Sequence, residues 1–450
     1  MRVLLVSAYE LGHQPLHVAS PAEALRHAGH DVRTLDVSVE LWDADLVAWA
    51  DAVAFSVPMH TAMRLAVEGA RVVKQQRAAT PICFYGLYAV MSQDVVASGL
   101  VDHAIAGEYE AALVRWVQGG GSGGASDITV RSSVELGRSE FRRPYRASLP
   151  PLARYAHLAI DGEERPVGYV EASHGCSHRC RHCPIPVIYD GRIRVVAKDV
   201  VLDDVAHLVA AGARHITFGD PDFLNGVHHS RRVVEGMHQR FPSLTFDCTV
   251  KVEHVLRHAE LWASFAEAGC LFVVSALETV NNDILARLDK GHTAAQGAEA
   301  VDLLRRHGIE MRPSLLPFTP WTTFDDVLDI LDFVADHDLI GNVDPVQYTI
   351  RLLLPERSLL LDDPDLVARL GPYDPVRLSY TWEAADPALD ALQRDLAGLV
   401  ERAAAGQSVV ATFMDINATV RAAAGSSRPA AAIPVGSTEG RPRLSEPWFC

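Results

Sequence analysis

The sequence predicts an α/β fold in which an N-terminal Rossmann-like domain with a parallel sheet precedes a partial (β/α)6 barrel and a helical C-terminal extension. Strand-like and helix-like runs alternate in residues 1–118 and again in residues 166–362, which is typical of parallel sheets covered by helices. A glycine-rich stretch separates the two series, and the end of the chain is alanine-rich with helical spacing. The expected divisions are 1–118, a linker and connector over 119–165, 166–362, and 363–450.

The first series predicts five short strands joined by helices. Ligands of such open sheets bind beyond the carboxyl ends of the strands, so the turns at those ends are candidate lining segments. The predicted strands are 2–7, 31–35, 52–57, 81–85 and 103–106, and the turns are 9–13, 58–61 and 85–88.

The second series predicts six βα units, which suit most of a barrel whose chemistry lies at the carboxyl ends of its strands. The predicted strands are 168–172, 215–218, 244–250, 271–276, 310–315 and 346–353, with helices over 200–211, 256–268 and 294–306.

Composition argues against several classes of protein. The 450 residues include 41 Lys and Arg against 57 Asp and Glu, a net charge of −16, which does not suit a broad nucleic-acid surface. No apolar run reaches the roughly 20 residues of a membrane span, and the start MRVLLVSAYE is too quickly polar for a signal peptide. Seven cysteines, an odd number, argue against a disulfide framework. We therefore expect a cytoplasmic protein with no nucleic-acid and no membrane partner.

Three cysteines follow the first predicted barrel strand. Cys176, Cys180 and Cys183 form a C-x3-C-x2-C array on one short loop. Three thiolates can bind three irons of a [4Fe–4S] cluster and leave the fourth iron open for a substrate or cofactor, whereas an electron-transfer cluster takes four cysteines. The alternative is a zinc site closed by a histidine of the same loop, although the short spacing leaves little room for tetrahedral geometry.

This array resembles the signature of the radical S-adenosylmethionine (SAM) superfamily. The resemblance implies that SAM chelates the open iron of a [4Fe–4S] cluster held by Cys176, Cys180 and Cys183. One electron, expected from a donor such as flavodoxin or ferredoxin, then cleaves a C–S bond of the sulfonium and releases a carbon radical. His182 takes the position before the third cysteine that is usually aromatic in the superfamily.

Side chains at the other predicted strand ends are candidates for holding SAM. A carboxylate can accept a charge-assisted hydrogen bond from the SAM ammonium, and arginine suits bidentate binding of a carboxylate. Residues two apart on a strand share a face, so Lys251 and Glu253 are expected to point together into the barrel mouth. For each candidate the alternative is a structural role such as a salt bridge at the barrel rim. The cofactor-binding candidates are His182, Gly219, Asp220, Asp222, Lys251, Glu253, Ser275, Glu278, Arg312 and Arg351.

The N-terminal layout resembles the cobalamin-binding-like domain that precedes many radical SAM barrels. That domain normally carries an Asp-x-His-x-x-Gly loop whose histidine can ligate cobalt. The corresponding turn, residues 9–15, reads YELGHQP and lacks the motif. His13 can still approach a cofactor, but the missing motif argues against bound cobalamin. The expectation is a Rossmann-like domain that shapes one wall of the active site.

Segments along nearly the whole chain look like the radical SAM proteins that are named for a CUAEP or CCAEP tail. These segments are YELGHQP, VPMHT, YGLYA, CRHCPIP, FGDPDFLN, DKGHT and FTPWT. The chain stops at EPWFC, where such a tail would begin, and one expectation is that a selenocysteine codon was read as a stop or that the tail was removed. The layout is also similar to that of the radical SAM enzyme of arsinothricin biosynthesis. That similarity implies transfer of the 3-amino-3-carboxypropyl group of SAM to trivalent arsenic, with arsenite as the substrate and Cys450 as the catalytic thiol.

The leading functional prediction is thus a radical SAM transferase that forms a C–As bond in natural-product biosynthesis. Three alternatives stay open: a 5′-deoxyadenosyl-radical enzyme acting on a peptide or other metabolite, a cobalamin-dependent methylase, and a non-enzymatic iron–sulfur or zinc sensor. Nucleoside products separate two of these readings, because 5′-methylthioadenosine marks carboxypropyl transfer and 5′-deoxyadenosine marks hydrogen abstraction.

Overall fold

The computed structural model describes residues 1–121, 132–138, 140–404, 406–429 and 440–446. The N-terminal part of the chain forms one parallel sheet between helices. Its strands are β1 (Arg2–Ser7), β2 (Asp31–Asp36), β3 (Ala52–Ser56), β4 (Ile82–Tyr85), β5 (His103–Gly107) and β6 (Ser132–Glu135), and its helices are α1 (Leu16–His27), α2 (Ala44–Trp49), α3 (His60–Gln76), α4 (Gln93–Ala97) and α5 (Glu110–Gln118). The strand order is β2-β1-β3-β4-β5-β6.

The apolar character of these strands follows from the helices on both faces of the sheet. Every residue of β3 and β4 is buried, and only the first residue of β1 is exposed, as expected for strands covered on two sides. Two apolar cores result, one on each face. Five of the six strands match the sequence prediction within one residue at each end, and β6 was not predicted.

The second part of the chain forms a half-barrel with a helical extension. Its strands are β7 (His157–Ile160), β8 (Glu163–Val170), β9 (Ser173–Gly175), β10 (Ile193–Val195), β11 (His215–Phe218), β12 (Thr245–Thr249), β13 (Cys270–Glu278), β14 (Glu310–Leu315), β15 (Leu370–Asp374), β16 (Ser379–Trp382) and β17 (Arg443–Leu444). Its helices are α6 (Ile185–Tyr189), α7 (Lys198–Ala210), α8 (Val227–Arg240), α9 (Val252–Arg257), α10 (Trp262–Glu267), α11 (Asn282–Arg287), α12 (Ala294–Arg306), α13 (Phe324–Asp336), α14 (Pro364–Val367), α15 (Pro387–Ala403) and α16 (Val409–Ala424).

The barrel sheet has the order β14-β13-β12-β11-β8-β7-β17. Strands β8, β11, β12, β13 and β14 are parallel, whereas β7 and β17 add antiparallel edges. The last described segment of the chain, 440–446, thus completes the sheet. The predicted α/β class, with its Rossmann-like sheet, half-barrel and helical extension, is confirmed.

The sixth barrel strand, predicted over residues 346–353, is reduced to a single bridge. Pro345–Thr349 forms a 3₁₀ helix with proline at its start, and Arg351 alone pairs with Phe318, in parallel. Proline fixes φ near −65° and removes a donor, so the apolar run that follows begins as a helical turn. The glycine-rich linker of the sequence prediction lies mostly outside the described residues, and the predicted domain boundaries stay predictions.

Two short elements attach the barrel mouth to the N-terminal sheet. Ile188 and Tyr189 of α6 and Leu378 beside β16 are buried in the core on one face of that sheet. Because α6 directly follows the cysteine loop, this packing holds the loop between the two halves of the molecule. Within the described ranges, no helix is long and apolar enough to cross a membrane.

Candidate active site

The cysteine loop begins at β9, which turns away from the barrel sheet and pairs with β10. Asp220, at the end of β11, anchors this start: its carboxylate accepts hydrogen bonds from the Ala172 amide at 2.9 Å and the Ser173 hydroxyl at 2.6 Å. Gly175 has a φ of +76°, and a Cβ there would overlap the carbonyl of Arg192. Asp220, predicted to bind the SAM ammonium, is therefore used by the protein itself to position the loop.

The three thiols of the loop are withdrawn from solvent. Cys176 and Cys180 are buried and Cys183 is half-buried. Burial and, to a smaller extent, the nearby sulfurs of Cys180 and Cys176 together raise the pKa of the Cys183 thiol to about 12. Thiols that disfavour one another's ionisation suit an iron–sulfur cluster, because the bound irons supply the positive charge that stabilises three thiolates. The residues fit a cluster with three cysteine ligands.

A buried ion pair adjoins the loop. Glu278, at the end of β13, accepts a hydrogen bond from the ammonium of Lys290 at 3.0 Å, and its carboxylate lies 3.0 Å from Nε2 of His182. Burial alone would raise the pKa of Glu278, but the charges of Lys290 and His182 hold it well below its usual range. Glu278 also has a φ of +64°, a strained conformation for a residue with a side chain. Two predicted residues, His182 and Glu278, are thus brought together next to the cysteines.

Lys251 and Glu253 lie beside this ion pair, but they do not share a strand face as predicted, because β12 ends at Thr249 and Glu253 lies in α9. Their charged groups are 4.0 Å apart, and a Cβ on Gly291 would lie 2.9 Å from the Glu253 carboxylate. The segment after α11 therefore packs directly on the segment after β12. His292 in this segment is buried, and neither ring nitrogen has a hydrogen-bond partner in the described part of the chain. These ammonium, carboxylate and imidazole groups suit the charged amino-acid end of SAM.

Other candidates are engaged elsewhere. Arg312 pairs with Asp344 at 2.8 Å and donates to the carbonyl of Pro442. Arg351 pairs with Asp390, and its guanidinium stacks 3.5 Å from the ring centre of Trp382. A SAM carboxylate would have to displace these partners, so the geometry gives no support to either arginine.

The positions of Ser275 and Gly219 also do not suit the predicted role of binding SAM. Val274 lines the barrel lumen, so Ser275 faces the opposite side of β13, because successive side chains alternate. A Cβ on Gly219 would overlap the phenol of Tyr169, so this glycine allows close packing inside the lumen. Cys450 lies outside the described residues, and its predicted catalytic role stays a prediction.

The barrel lumen holds a cavity of about 60 Å³, whose lining includes Tyr169, Asp247 and Arg312. Inward-facing Thr217 and His215 both bond to the Asp247 carboxylate, at 2.7 and 2.9 Å. The sequence prediction missed these residues, although polar side chains at every second position of the two predicted strands were a signal for an inward polar face.

The N-terminal domain closes one side of this lumen. His13, in the turn after β1, stacks on Tyr169 with ring centres 4.8 Å apart, and burial lowers its pKa to about 4. Tyr9 of the same turn donates a hydrogen bond to Glu446 at 2.9 Å. The carboxyl end of β1 therefore faces the barrel, and the segment 440–446 lies between them.

A network of histidines and carboxylates crosses the same boundary. His17 lies 3.3 Å from Glu171, and His174 lies 3.3 Å from Glu171 and 3.2 Å from Glu108. Burial alone would lower the pKa of both histidines, but the carboxylates of Glu171 and Glu10 raise that of His17 to about 9, and those of Glu108 and Glu171 raise that of His174 to about 10. Both rings are therefore charged near neutral pH.

Comparisons with known proteins agree with this geometry. Residues 170–334 match the family described as the radical SAM superfamily, and residues 1–117 match the B12 binding domain. The chain is 23% identical over 323 residues to a hopanoid C-3 methylase of Methylococcus capsulatus, an alignment that covers 68% of this chain and 62% of that protein. The chain therefore spans less than two thirds of the length of this relative.

Solved structures share the fold. The cobalamin-dependent SAM radical enzyme OxsB, with aqua-cobalamin and SAM bound, superposes with a TM-score of 0.70 at 16% identity, over 89% of this chain and 67% of that one. The radical SAM methyltransferase TsrM of Kitasatospora setae gives 0.62 at 18% identity, over 80% and 74%.

The match to the B12 binding domain corrects the expectation of no bound cobalamin. That expectation rested on the absent Asp-x-His-x-x-Gly loop, but the match covers the N-terminal domain although YELGHQP stands in its place. The missing histidine motif therefore does not exclude this family of domains. The protein is thus an enzyme whose half-barrel matches the radical SAM superfamily and whose N-terminal domain matches the B12 binding domain.

Proposed function

We propose that this protein is a cobalamin-dependent radical SAM methylase. The observation that carries the proposal is the pairing of a three-cysteine loop with a B12-binding domain whose β1 turn faces the barrel lumen through the His13–Tyr169 stack. The names of two relatives add support, since one is a hopanoid C-3 methylase and another a bacteriochlorophyllide d C-12(1)-methyltransferase of Chlorobaculum tepidum. The arsenic prediction gains no comparable support, and the resemblance to the CUAEP and CCAEP proteins stays a prediction.

The residues for cluster and SAM form one connected surface. Cys176, Cys180 and Cys183 would hold the cluster, and the adjoining Lys251 offers an ammonium group for the SAM carboxylate. Lys251 is buried and the Glu253 carboxylate lies 4.0 Å from its ammonium group, so its charge acts with little screening by water. Reductive cleavage of SAM is the chemistry that the cluster supplies when bound.

Polar groups at the strand ends of the N-terminal domain fit an amide-rich cofactor such as cobalamin. The Ser7 hydroxyl, the Tyr85 hydroxyl and Nδ1 of His13 are buried, and no described residue forms a hydrogen bond with them. Such groups are costly to bury unless a ligand pairs with them. Bound cobalamin would supply a methyl carrier at this boundary.

Room for a corrin requires movement of the chain end. A Cβ on Gly12 would lie 2.7 Å from the Glu446 side chain, and the neighbouring lumen cavity is only about 60 Å³. We therefore propose that Glu446, the last described residue after β17, shifts away from the β1 turn when cobalamin enters. The Tyr9–Glu446 hydrogen bond that this shift breaks contributes about 1 kcal/mol.

Anaerobic reconstitution with iron and sulfide, followed by hydroxocobalamin and desalting, tests the proposal directly. Retained cobalamin is measured by visible absorption, and dithionite with SAM then yields nucleoside products for mass spectrometry. A methylase is expected to retain cobalamin and to form S-adenosylhomocysteine, the product that remains when SAM gives up its methyl group. Cobalamin that washes out completely, or 5′-methylthioadenosine that appears only with arsenite, would overturn the methylase proposal.

Cysteine variants provide the controls. Replacement of Cys176, Cys180 and Cys183 by alanine should abolish SAM cleavage but leave cobalamin retention intact, because the proposed cobalamin site lies on the N-terminal domain. The matched control is Cys270→Ala: this thiol is also buried but lies in the barrel core, so the variant should keep both cluster and cleavage.

A further inference from the structure

Two histidines and an aspartate converge beside the cysteine loop. His178 lies between the first two cysteines of the loop, Asp222 follows β11, and His254 lies on α9. Nε2 of His178 is 3.3 Å from Oδ2 of Asp222, and Nδ1 of His254 is 2.8 Å from the same oxygen. Three separate segments therefore bring two ring nitrogens and one carboxylate oxygen to a single point.

The three atoms do not hydrogen-bond to one another. All three are buried, and none has a hydrogen-bond partner among the residues that the structure describes. Asp222 is fully buried and His254 is 5% exposed. Both N–O distances are within hydrogen-bonding range, yet neither contact has the geometry of a hydrogen bond. A buried carboxylate without hydrogen bonds on one oxygen is costly, so a cation at that centre would remove the cost.

The spacing suits a tetrahedral metal ion. Ligand atoms about 2.0 Å from a zinc ion lie roughly 3.3 Å apart, and the three donor atoms here all lie within 4.8 Å of one another. Two imidazoles and one carboxylate are ligands that zinc and ferrous iron accept, with one or more positions left for water or another ligand.

Neighbouring groups hold two of these ligands in place. The other carboxylate oxygen of Asp222 accepts a hydrogen bond from the Leu224 amide at 3.1 Å. The other ring nitrogen of His178, Nδ1, lies 3.7 Å from the Glu253 carboxylate. A hydrogen bond from a backbone amide commonly orients a ligand of a protein metal site, and the Glu253 carboxylate adds a negative charge near the His178 ring.

We propose that His178, Asp222 and His254 bind a divalent transition-metal ion, with zinc as the ion that fits best. The site is separate from the cysteines and ties their loop to the segments that follow β11 and β12. The ion holds the loop at the correct place for cluster assembly, and it takes no part in SAM cleavage.

Metal content of the full-length protein tests the site. Protein reconstituted with iron, sulfide and zinc sulfate is desalted over EDTA and analysed by mass spectrometry of its metals. We expect one zinc per chain in addition to the cluster iron. His254→Gln should lose the zinc, whereas His258→Gln, which changes a neighbouring histidine with its ring 5.6 Å away, should keep it. An extra iron that His254→Gln loses would assign Fe²⁺ to the same ligands.

Two further variants keep the proposal falsifiable. Asp222→Asn preserves side-chain volume and the acceptor for Leu224, so it tests the site even if His254→Gln does not fold. The triple alanine variant of Cys176, Cys180 and Cys183 should lose the iron and retain the zinc. Zinc that disappears with the cysteines would place the ion in the cysteine loop, and zinc that both Asp222→Asn and His254→Gln retain would overturn the proposal.

Discussion

Replacing Glu278 with glutamine would leave the ammonium of Lys290 buried without a compensating charge. Both side chains are less than 10% exposed and the N–O distance is 3.0 Å, so solvent screening is weak. Removing one partner of such a pair costs about 3–5 kcal/mol of unfolding free energy. Lys290→Met should cost a similar amount. Both single variants break the same ion pair. The double variant should therefore lose about 2–3 kcal/mol less unfolding free energy than the sum of the losses in Glu278→Gln and Lys290→Met.

Urea unfolding of the cluster-free protein, followed by tryptophan fluorescence, measures these free energies. The slope of the transition should be unchanged, which shows that the same surface unfolds in each variant. Asp203→Asn is the matched control, because its partner Arg240 lies at 3.2 Å but both side chains are largely exposed; this change should stay within about 0.5 kcal/mol. Additivity of the Glu278 and Lys290 losses within about 0.5 kcal/mol would refute the reasoning.

Three further predictions concern packing, pH and capping. Gly219→Ala should cost about 1–3 kcal/mol through overlap with the Tyr169 ring, and thermal unfolding would show an unchanged midpoint if the contact were loose. The pKa of His17 is raised to about 9. Its charged pairing with Glu171 therefore stabilises the protein fully below the unfolded pKa of about 6.5, and this stabilisation is lost as the pH rises through 9. Between pH 6.5 and 10, the thermal midpoint should fall less in His17→Gln than in the unmodified protein. Thr323→Ala removes the capping box of α13 and should cost about 1 kcal/mol in urea unfolding, whereas an unchanged midpoint would contradict a stabilising cap.

Local pattern was enough to predict most strands of both sheets. Strand β14 was predicted to the residue, because its alternation and apolar content are intrinsic to six consecutive positions. The short antiparallel strands β7 and β17 were missed, since two to four residues carry almost no periodic signal and β17 forms only by pairing with a segment almost 300 positions earlier. The run over 346–353 has strand-like composition, but Pro345 starts a helical turn there.

Site residues could be predicted where their role depends on spacing along the chain. They were harder to predict where the role depends on contacts with residues that are distant in sequence. The cysteine array follows from neighbouring positions, whereas the predicted strand face of Lys251 and Glu253 was wrong because α9 begins at Val252. The charge of Arg312 is neutralised by Asp344, which lies 32 positions away. A pattern of neighbouring residues does not predict such a distant partner. Polarity alone therefore overestimated the number of charged groups that are available to a ligand.

The pairing of β17 with β7 has a consequence for how the chain is made. A growing chain emerges from the ribosome N-terminus first, so β7 is complete long before Arg443 and Leu444 exist. Until then the outer edge of β7 offers unpaired backbone groups to any other extended chain. Chains that stop before β17 should therefore be the aggregation-prone species, because Arg443 and Leu444 cover the edge of β7.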